Sequence, residues 1–178
     1  MRKPDWKHWL DNKEDCHYWL SSYLTKKVLR KSRDLSLFHL RKAEHNFRLA
    51  QWLEEKHGSE VIFKEEQYYD WVITIYYYAV YHAAQALMSK EGLESKSHAA
   101  TLCFLLYHHY HREKKFEPEE IALLAFSLER NEIEYVGMSK ELREKASYDI
   151  HAIFEQKVAK QVKEQTAQFI TKIRLQLL

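Results

Sequence analysis

The stretch YYDWVITIYYYAVYHAAQALMSK, residues 68–90, is apolar or aromatic around its whole circumference when it is drawn as a helix. A surface helix has a single apolar stripe, so a helix without a polar face is predicted to be buried on every side. Thr74, His82 and Gln85 interrupt the run, which argues against a membrane span. Gly92 follows and predicts the end of the helix. The stretch therefore predicts the central helix of a helical core.

The composition indicates one mostly helical domain. The chain has 178 residues, 46% of them hydrophobic, which is enough to close a sizeable core. It has only three glycines and two prolines, so strands have few places to turn. Cys16 and Cys103 form no CxxC pattern, and free thiols are typical of a reducing compartment. We expect a cytoplasmic protein with no signal peptide, no membrane segment, no metal and no cofactor.

Apolar periodicity predicts the class of the fold. The pattern favours an all-α, antiparallel bundle of four to five main helices with an N-terminal helical extension. Asp34, Ser97 and Ser139 are suitable N-caps, and Gly58 is predicted to end the first main helix. The predicted helical spans are 34–57, 68–90, 97–110, 118–136 and 139–178.

The sequence predicts that the chain has two parts, with the boundary after Arg33. Residues 1–33 form a basic and aromatic N-terminal extension, and residues 34–178 form the helical domain. The extension holds nine Lys or Arg against four Asp or Glu, although the formal net charge of the chain is only +2. Exposed tryptophans are unusual, so the extension is predicted to dock onto the body or onto a partner through its aromatic residues. These residues are Trp6, Trp9, Trp19 and Tyr23.

A cluster of five cations ends the extension: Lys26, Lys27, Arg30, Lys31 and Arg33. If this segment is helical, Lys26, Arg30 and Arg33 share one face. A basic stripe of this kind is suited to the phosphates of a nucleic-acid backbone. A solvated helix end or linker is the plainer interpretation of a short charged run. Both interpretations stay open at the level of sequence.

The order of several short motifs carries a family resemblance. An amphipathic helix with Lys42-Ala43-Glu44 is followed by YYYAVYHAAQAL in the central helix, and then by Gly92 and Ser97-His98. RNEIEY at residues 130–135 and an alanine-spaced last helix complete the order. In this order the chain resembles the HEPN domain, the higher eukaryotes and prokaryotes nucleotide-binding domain, over roughly residues 34–178.

The resemblance implies a fold, an assembly and an activity. HEPN domains are compact helical bundles that usually pair as symmetric homodimers with a cleft at the two-fold axis. Many are metal-independent ribonucleases, among them toxins with a nucleotidyltransferase-like antitoxin and effectors of antiviral defence. Their signature is an arginine, usually followed by a polar residue, and a histidine four to six intervening positions later. Arg130 and Asn131 match the signature, and Tyr135 takes the place of the histidine.

Tyr135 leaves the enzymatic activity open. Attack by a ribose 2′-hydroxyl needs a group that exchanges a proton near neutral pH, and the ordinary pKa of tyrosine, about 10, makes it a poor base. Arg130 still offers a forked, permanently charged donor for a phosphate, although an ion pair with Glu134 is an equally good interpretation. Two hypotheses follow: a protein that binds or cleaves RNA or nucleotides, and an inert helical module that pairs with a nucleotidyltransferase-like partner.

Histidines raise a third hypothesis, a metal-binding bundle. His108, His109 and His111 cluster in YHHYHRE, and Glu113 is the only carboxylate near them. A polar helix end is the favoured interpretation of this cluster. His82, inside the apolar helix, is predicted to be a hydrogen-bonded core histidine. The tyrosines of the same helix are predicted to pack in the core or dimer, or to stack on RNA bases: Tyr76, Tyr77, Tyr78 and Tyr81.

Overall fold

The computed structural model describes residues 4–59, 68–95, 97–125 and 156–178. These residues are helical apart from loops and one two-stranded sheet, which confirms the all-α class. The elements are α1 (Trp6–Asp11), α2 (Lys13–Thr25), β1 (Leu29–Lys31), α3 (Ser36–Ser59), α4 (Tyr69–Lys90), β2 (Leu93–Ser95), α5 (His98–Leu105) and α6 (Gln156–Leu177). Leu106–Arg112 continue α5 as a π-helix, and residues 118–125 are helical. Within these ranges, no helix has both the length and the apolar character that a bilayer crossing requires.

Helix α4 is the centre of the bundle, as its sequence predicts. It packs against α3 on one side and α6 on another. Tyr76 is fully buried, and four alanines of the helix are also fully buried and let its neighbours approach closely: Ala79, Ala83, Ala84 and Ala86. Trp71, near its first turn, is the exception at 59% exposed. Gly92 follows the helix with a left-handed φ of 71°, which favours glycine.

A buried polar contact ties three helices together. The hydroxyl of Tyr76 on α4 donates a hydrogen bond of 2.9 Å to Oε2 of Glu54 on α3. The same carboxylate oxygen lies 3.1 Å from Nζ of Lys163 on α6. Burial and the neighbouring carboxylate raise the pKa of Tyr76 far above its usual range. Tyr76 therefore remains a neutral donor that fixes the relative positions of α3, α4 and α6.

The N-terminal extension docks on α5 and the π-helix. Trp9 is only 1% exposed, and Cys16 is fully buried in the same hydrophobic core as α5. The Sγ atoms of Cys16 and Cys103 lie 3.9 Å apart, and each thiol donates to the other residue's carbonyl oxygen. Nε2 of His111 donates a 2.7 Å hydrogen bond to the carbonyl of Trp9. The prediction that the aromatic extension packs onto the body is confirmed.

The predicted helix ends agree with the structure to within two residues where they are described. The carboxylate of Asp34 accepts the Ser36 N–H at 2.8 Å, and α3 runs through Gly58 rather than ending before it. Ser97 caps α5 as predicted, because its Oγ accepts the N–H of Ala100 at 3.3 Å. Of the last two predicted helices, only residues 118–125 and 156–178 fall within the described ranges. One face of α6 is buried: Ala159, Val162, Phe169, Ile173 and Leu177.

A small sheet forms despite the scarcity of turn residues. Strands β1 and β2 pair antiparallel, with Arg30 opposite Glu94 and Leu29 opposite Ser95. Gly92 supplies the tight connection between α4 and β2, and its carbonyl accepts the N–H of Ser32 at 2.9 Å. The sheet holds the end of the extension beside the end of α4. This placement positions the candidate site.

Candidate nucleic-acid interface

The basic run begins where α2 ends in a Schellman motif. The N–H of Val28 donates to the carbonyl of Tyr23 at 2.9 Å, and the N–H of Lys27 donates to that of Leu24 at 3.0 Å. Lys27 has a φ of 56°, a left-handed conformation that usually belongs to glycine at this position. A lysine that keeps this conformation holds backbone strain, and such strain is common at functional sites. The sequence signal for this turn is weak because glycine is absent.

The five cations therefore do not form a helical stripe, and the idea of a shared helical face is wrong. Lys26 caps α2, whereas Arg30 and Lys31 belong to strand β1. Successive side chains of a strand point to opposite faces, so the two neighbours are separated. Nε of Arg30 donates to the carbonyl of Lys27 at 2.9 Å, which fixes the guanidinium beside the turn.

Two cavities lie beside β1 and share His39 and His82 in their walls; together they are called the basic groove. One cavity, of about 580 Å³, is lined by three cations and one carboxylate: Lys26, Lys27, Arg30 and Glu94. The other, of about 630 Å³, is lined by two cations and one carboxylate: Arg33, Lys42 and Asp34. Four of the five predicted cations thus line the groove, and Lys31 does not. Sequence reasoning missed Lys42, which belongs to α3.

The cations of the groove form no ion pair with a carboxylate of the described residues. This holds for all five: Lys26, Lys27, Arg30, Arg33 and Lys42. Five positive side chains against two carboxylates leave a positive surface, and concave basic surfaces attract anions. The charges are therefore available to phosphates.

Hydrogen bonds from the end of α4 hold the second cavity in place. Oγ of Ser89 accepts the N–H of Leu35 at 2.7 Å and donates to the carbonyl of Arg33 at 3.5 Å. Ser89 is buried, so these bonds are shielded from water. Arg33 and the first turn of α3 are consequently fixed to the central helix.

The two histidines lie nearly parallel between the cavities. The ring centroids of His39 and His82 are 6.0 Å apart, with an angle of 25° between the planes. Burial lowers the pKa of His39, and burial together with the charges of His39 and Lys42 lowers the pKa of His82 to about 4. Both rings are therefore neutral at pH 7.

His82 is not the hydrogen-bonded core histidine that the sequence predicts. It lines the groove, and its Nδ1 is buried without a hydrogen-bond partner among the described residues. A buried polar atom without a partner is costly, and in native structures it calls for an explanation such as a ligand or a bound water. The sequence could not reveal this because His39 lies on a different helix.

Tyrosines of α4 divide between the two predicted roles. Tyr76 is a core residue, whereas Tyr81 is half-buried and lines the groove. The ring of Tyr81 packs against His98 at 5.2 Å and His82 at 5.4 Å between centroids. Gln85, one turn further along α4, lines the same cavity and donates to Oγ1 of Thr101 at 3.1 Å. The groove thus combines cations with a flat aromatic ring.

The residues predicted for catalysis, Arg130, Asn131 and Tyr135, lie outside the described residues. The histidine cluster is described, and each of its members contacts a protein group. His109 lies 3.1 Å from Glu113, His111 binds the Trp9 carbonyl, and the ring of His108 packs on Phe104 at 4.5 Å. In the part of the chain that the structure describes, no three side chains converge as metal ligands.

Comparisons with known proteins add no assignment. No protein-family model matches the chain, and no curated protein matches it. The HEPN resemblance therefore stays a prediction that rests on the order of the sequence motifs.

Proposed function

We propose that this chain is a HEPN-like protein that binds RNA or nucleotides through the basic groove, in a prokaryotic toxin–antitoxin or defence setting. The observation that carries the proposal is the convergence of five cations from the extension and α3 on two adjoining cavities. Affinity for nucleic acid comes largely from lysine and arginine beside phosphates. Tyr81 adds a ring on which an unpaired base can stack.

The salt dependence of RNA binding tests this proposal. Changing Lys26, Lys27, Arg30 and Arg33 together to Gln should weaken binding to single-stranded RNA. The slope of log affinity against log salt should flatten by about 0.7 for each phosphate that the protein no longer neutralises. The matched control changes four exposed lysines outside the groove to Gln: Lys13, Lys31, Lys157 and Lys160. Equal slopes for the two quadruple variants would contradict the proposal.

Catalysis is a separate part of the proposal and concerns Arg130, Asn131 and Tyr135. In the proposal, the wild-type protein cleaves RNA weakly and without added metal, and Arg130→Ala abolishes that cleavage while the fold is retained. Tyr135→His should raise the rate, because it supplies a base with a near-neutral pKa at the spacing of the family signature. If neither the wild type nor Tyr135→His cleaves any RNA while both remain dimeric, the chain is not a nuclease disabled at one residue, and the interaction module described below takes its place.

The proposed assembly is a cytoplasmic homodimer with no cofactor. Large apolar side chains are exposed on one face of α3, where Leu49 and Trp52 lie three residues apart and share a helical face. An exposed apolar face of this kind is typical of a protein–protein contact. A symmetric dimer would bury it, and light scattering of wild type against Trp52→Ala measures the assembly.

The same face favours the second candidate function, an inert interaction module for a nucleotidyltransferase-like partner. In that case the apolar surface serves the partner, and RNA affinity is absent. The two candidates differ in one readout: RNA binding that depends on the basic groove supports the first. A chain that binds no RNA at low salt, and whose oligomeric mass is the same in the wild type and in Trp52→Ala, supports the second, because its apolar face is then not used between copies.

A further inference from the structure

The two histidines lie where a ligand that fills both cavities must pass. His39 and His82 belong to the walls of both cavities, and they come from different helices, α3 and α4. Cations stand on either side of them: Arg30 in the cavity beside β1 and Lys42 in the cavity beside α3. The histidine pair is thus the centre of the positive surface.

We propose that the two cavities hold successive phosphates of one single-stranded RNA backbone, and that the His39–His82 pair takes up a proton when this RNA binds. The inference rests on the proposed function, because it uses the same groove and names the chemistry and the regulation of that site. It assigns His39, His82 and Lys42 to the RNA site.

The local charges give the physical reason for proton uptake. Without an anion, burial opposes a positive charge on His39, and burial together with the charges of His39 and Lys42 opposes one on His82, so both rings stay neutral. A phosphate between the cavities reverses the sign of that local field. It also offers oxygens that accept a hydrogen bond from an imidazolium N–H, a charge-assisted bond. The protonated form is therefore stabilised only in the complex.

The unpartnered Nδ1 of His82 is a second observation that supports a change at this ring when RNA binds. This atom is buried and has no hydrogen-bond partner among the described residues. The proposal therefore includes a rotation of the His82 ring that turns Nδ1 toward the cavity. There the neutral ring can accept a hydrogen bond from a ribose 2′-hydroxyl, and the protonated ring can donate one to a phosphate oxygen. Either bond removes the cost of an unsatisfied buried nitrogen.

The remaining titratable groups around the pair are two carboxylates, Tyr81 and His98. Glu94 and Asp34 line the two cavities, and hydrogen bonds from Ser36 hold the pKa of Asp34 below its usual range. The ring centroids of Tyr81 and His82 are 5.4 Å apart, and those of Tyr81 and His98 are 5.2 Å apart. The double variant of His39 and His82 keeps His98, so it separates the contribution of the pair from that of His98.

The sign of the pH dependence follows from linkage. The free protein has a lowered histidine pKa, about 4 for His82, and the complex has a higher one. RNA affinity should therefore rise as the pH falls from about 7 and level off below the free-state pKa. For one proton taken up, the limiting slope is about tenfold per pH unit.

Binding of oligouridylate without terminal phosphates, measured from pH 7.5 to 5.5 at fixed salt, tests the proposal. This probe carries no group that titrates in the window. Wild-type affinity should rise about tenfold or more. The double variant with His39→Gln and His82→Gln should lose most of the rise, whatever its affinity at pH 7.5. The control His8→Gln, at an exposed residue of α1 outside the groove, should keep the rise.

Two further readouts keep the test decisive. Calorimetry of the wild type at pH 6.5, in buffers of different ionisation enthalpy, should show net proton uptake on binding. Binding without proton uptake would overturn the proposal. Inorganic tripolyphosphate that competes as well as oligouridylate at equal phosphate concentration would overturn the assignment to an RNA backbone. If the double variant binds RNA with the pH profile of the wild type, the histidine role alone is refuted. If the wild type binds no RNA at any pH, the proposed function is refuted as well.

Discussion

The two parts of the N-terminal extension contact the helical domain in different ways. Residues 4–25 bury Trp9 and Cys16 against α5 and bind His111 through a backbone carbonyl. In the next segment, from Lys26 to Arg33, four of the five cations line a groove that the segment shares with α3 and α4. The first half stabilises the fold, and the second half, once positioned, provides charge.

This difference separates effects on stability from effects on binding. A side chain buried in the core contributes through transfer and packing, so its loss lowers the free energy of unfolding. A cation that faces an open cavity contributes little to stability, because water screens it in the free protein. Substitutions in the first half should therefore act on folding, and those in the second half on RNA affinity.

The largest expected effect belongs to Trp9→Ala. Trp9 is 1% exposed, and truncation of a buried tryptophan costs about 3–5 kcal/mol of unfolding free energy. Urea unfolding measures the change. The matched control is Trp71→Ala, because Trp71 is 59% exposed and should lose less than about 1 kcal/mol. Similar losses for the two variants would mean that the extension does not pack as described.

A smaller effect of opposite sign is expected for Lys27→Gly. Glycine adopts the left-handed φ of this position without strain, and relief of that strain should stabilise the protein by up to about 1 kcal/mol. RNA affinity should fall at the same time, because a groove cation is removed. Lys27→Ala removes the charge but keeps the strain, so it should lower affinity without raising stability. Equal unfolding free energies for the glycine and alanine variants would contradict the Schellman assignment.

Local patterns predicted the parts of the fold that depend on local causes. The apolar run of residues 68–90 predicts α4, and Ser97 predicts the start of α5, because burial and capping depend on residues that are close in sequence. The end of α2 at a lysine and the pairing of β1 with β2 were missed, since Lys27 is a poor signal for a left-handed turn and Gly92 lies far along the chain.

The candidate site was predictable only in part for the same reason. Four cations of the groove follow from the charge of the extension, whereas Lys42 and the histidine pair come together only when α3 packs on α4. No period within one helix connects His39 with His82. The contact depends on tertiary packing, which a single sequence does not display.

The most direct test of the central claim compares two neighbours on one strand, Arg30→Gln and Lys31→Gln. Each removes one positive charge from β1, but only Arg30 lines the groove. Both should leave the free energy of unfolding within about 0.5 kcal/mol of the wild type. In fluorescence titrations with single-stranded RNA, Arg30→Gln should weaken binding several-fold and flatten the salt slope, and Lys31→Gln should leave both near wild type. Equal losses of affinity for the two variants would show that general charge, rather than the basic groove, holds the RNA.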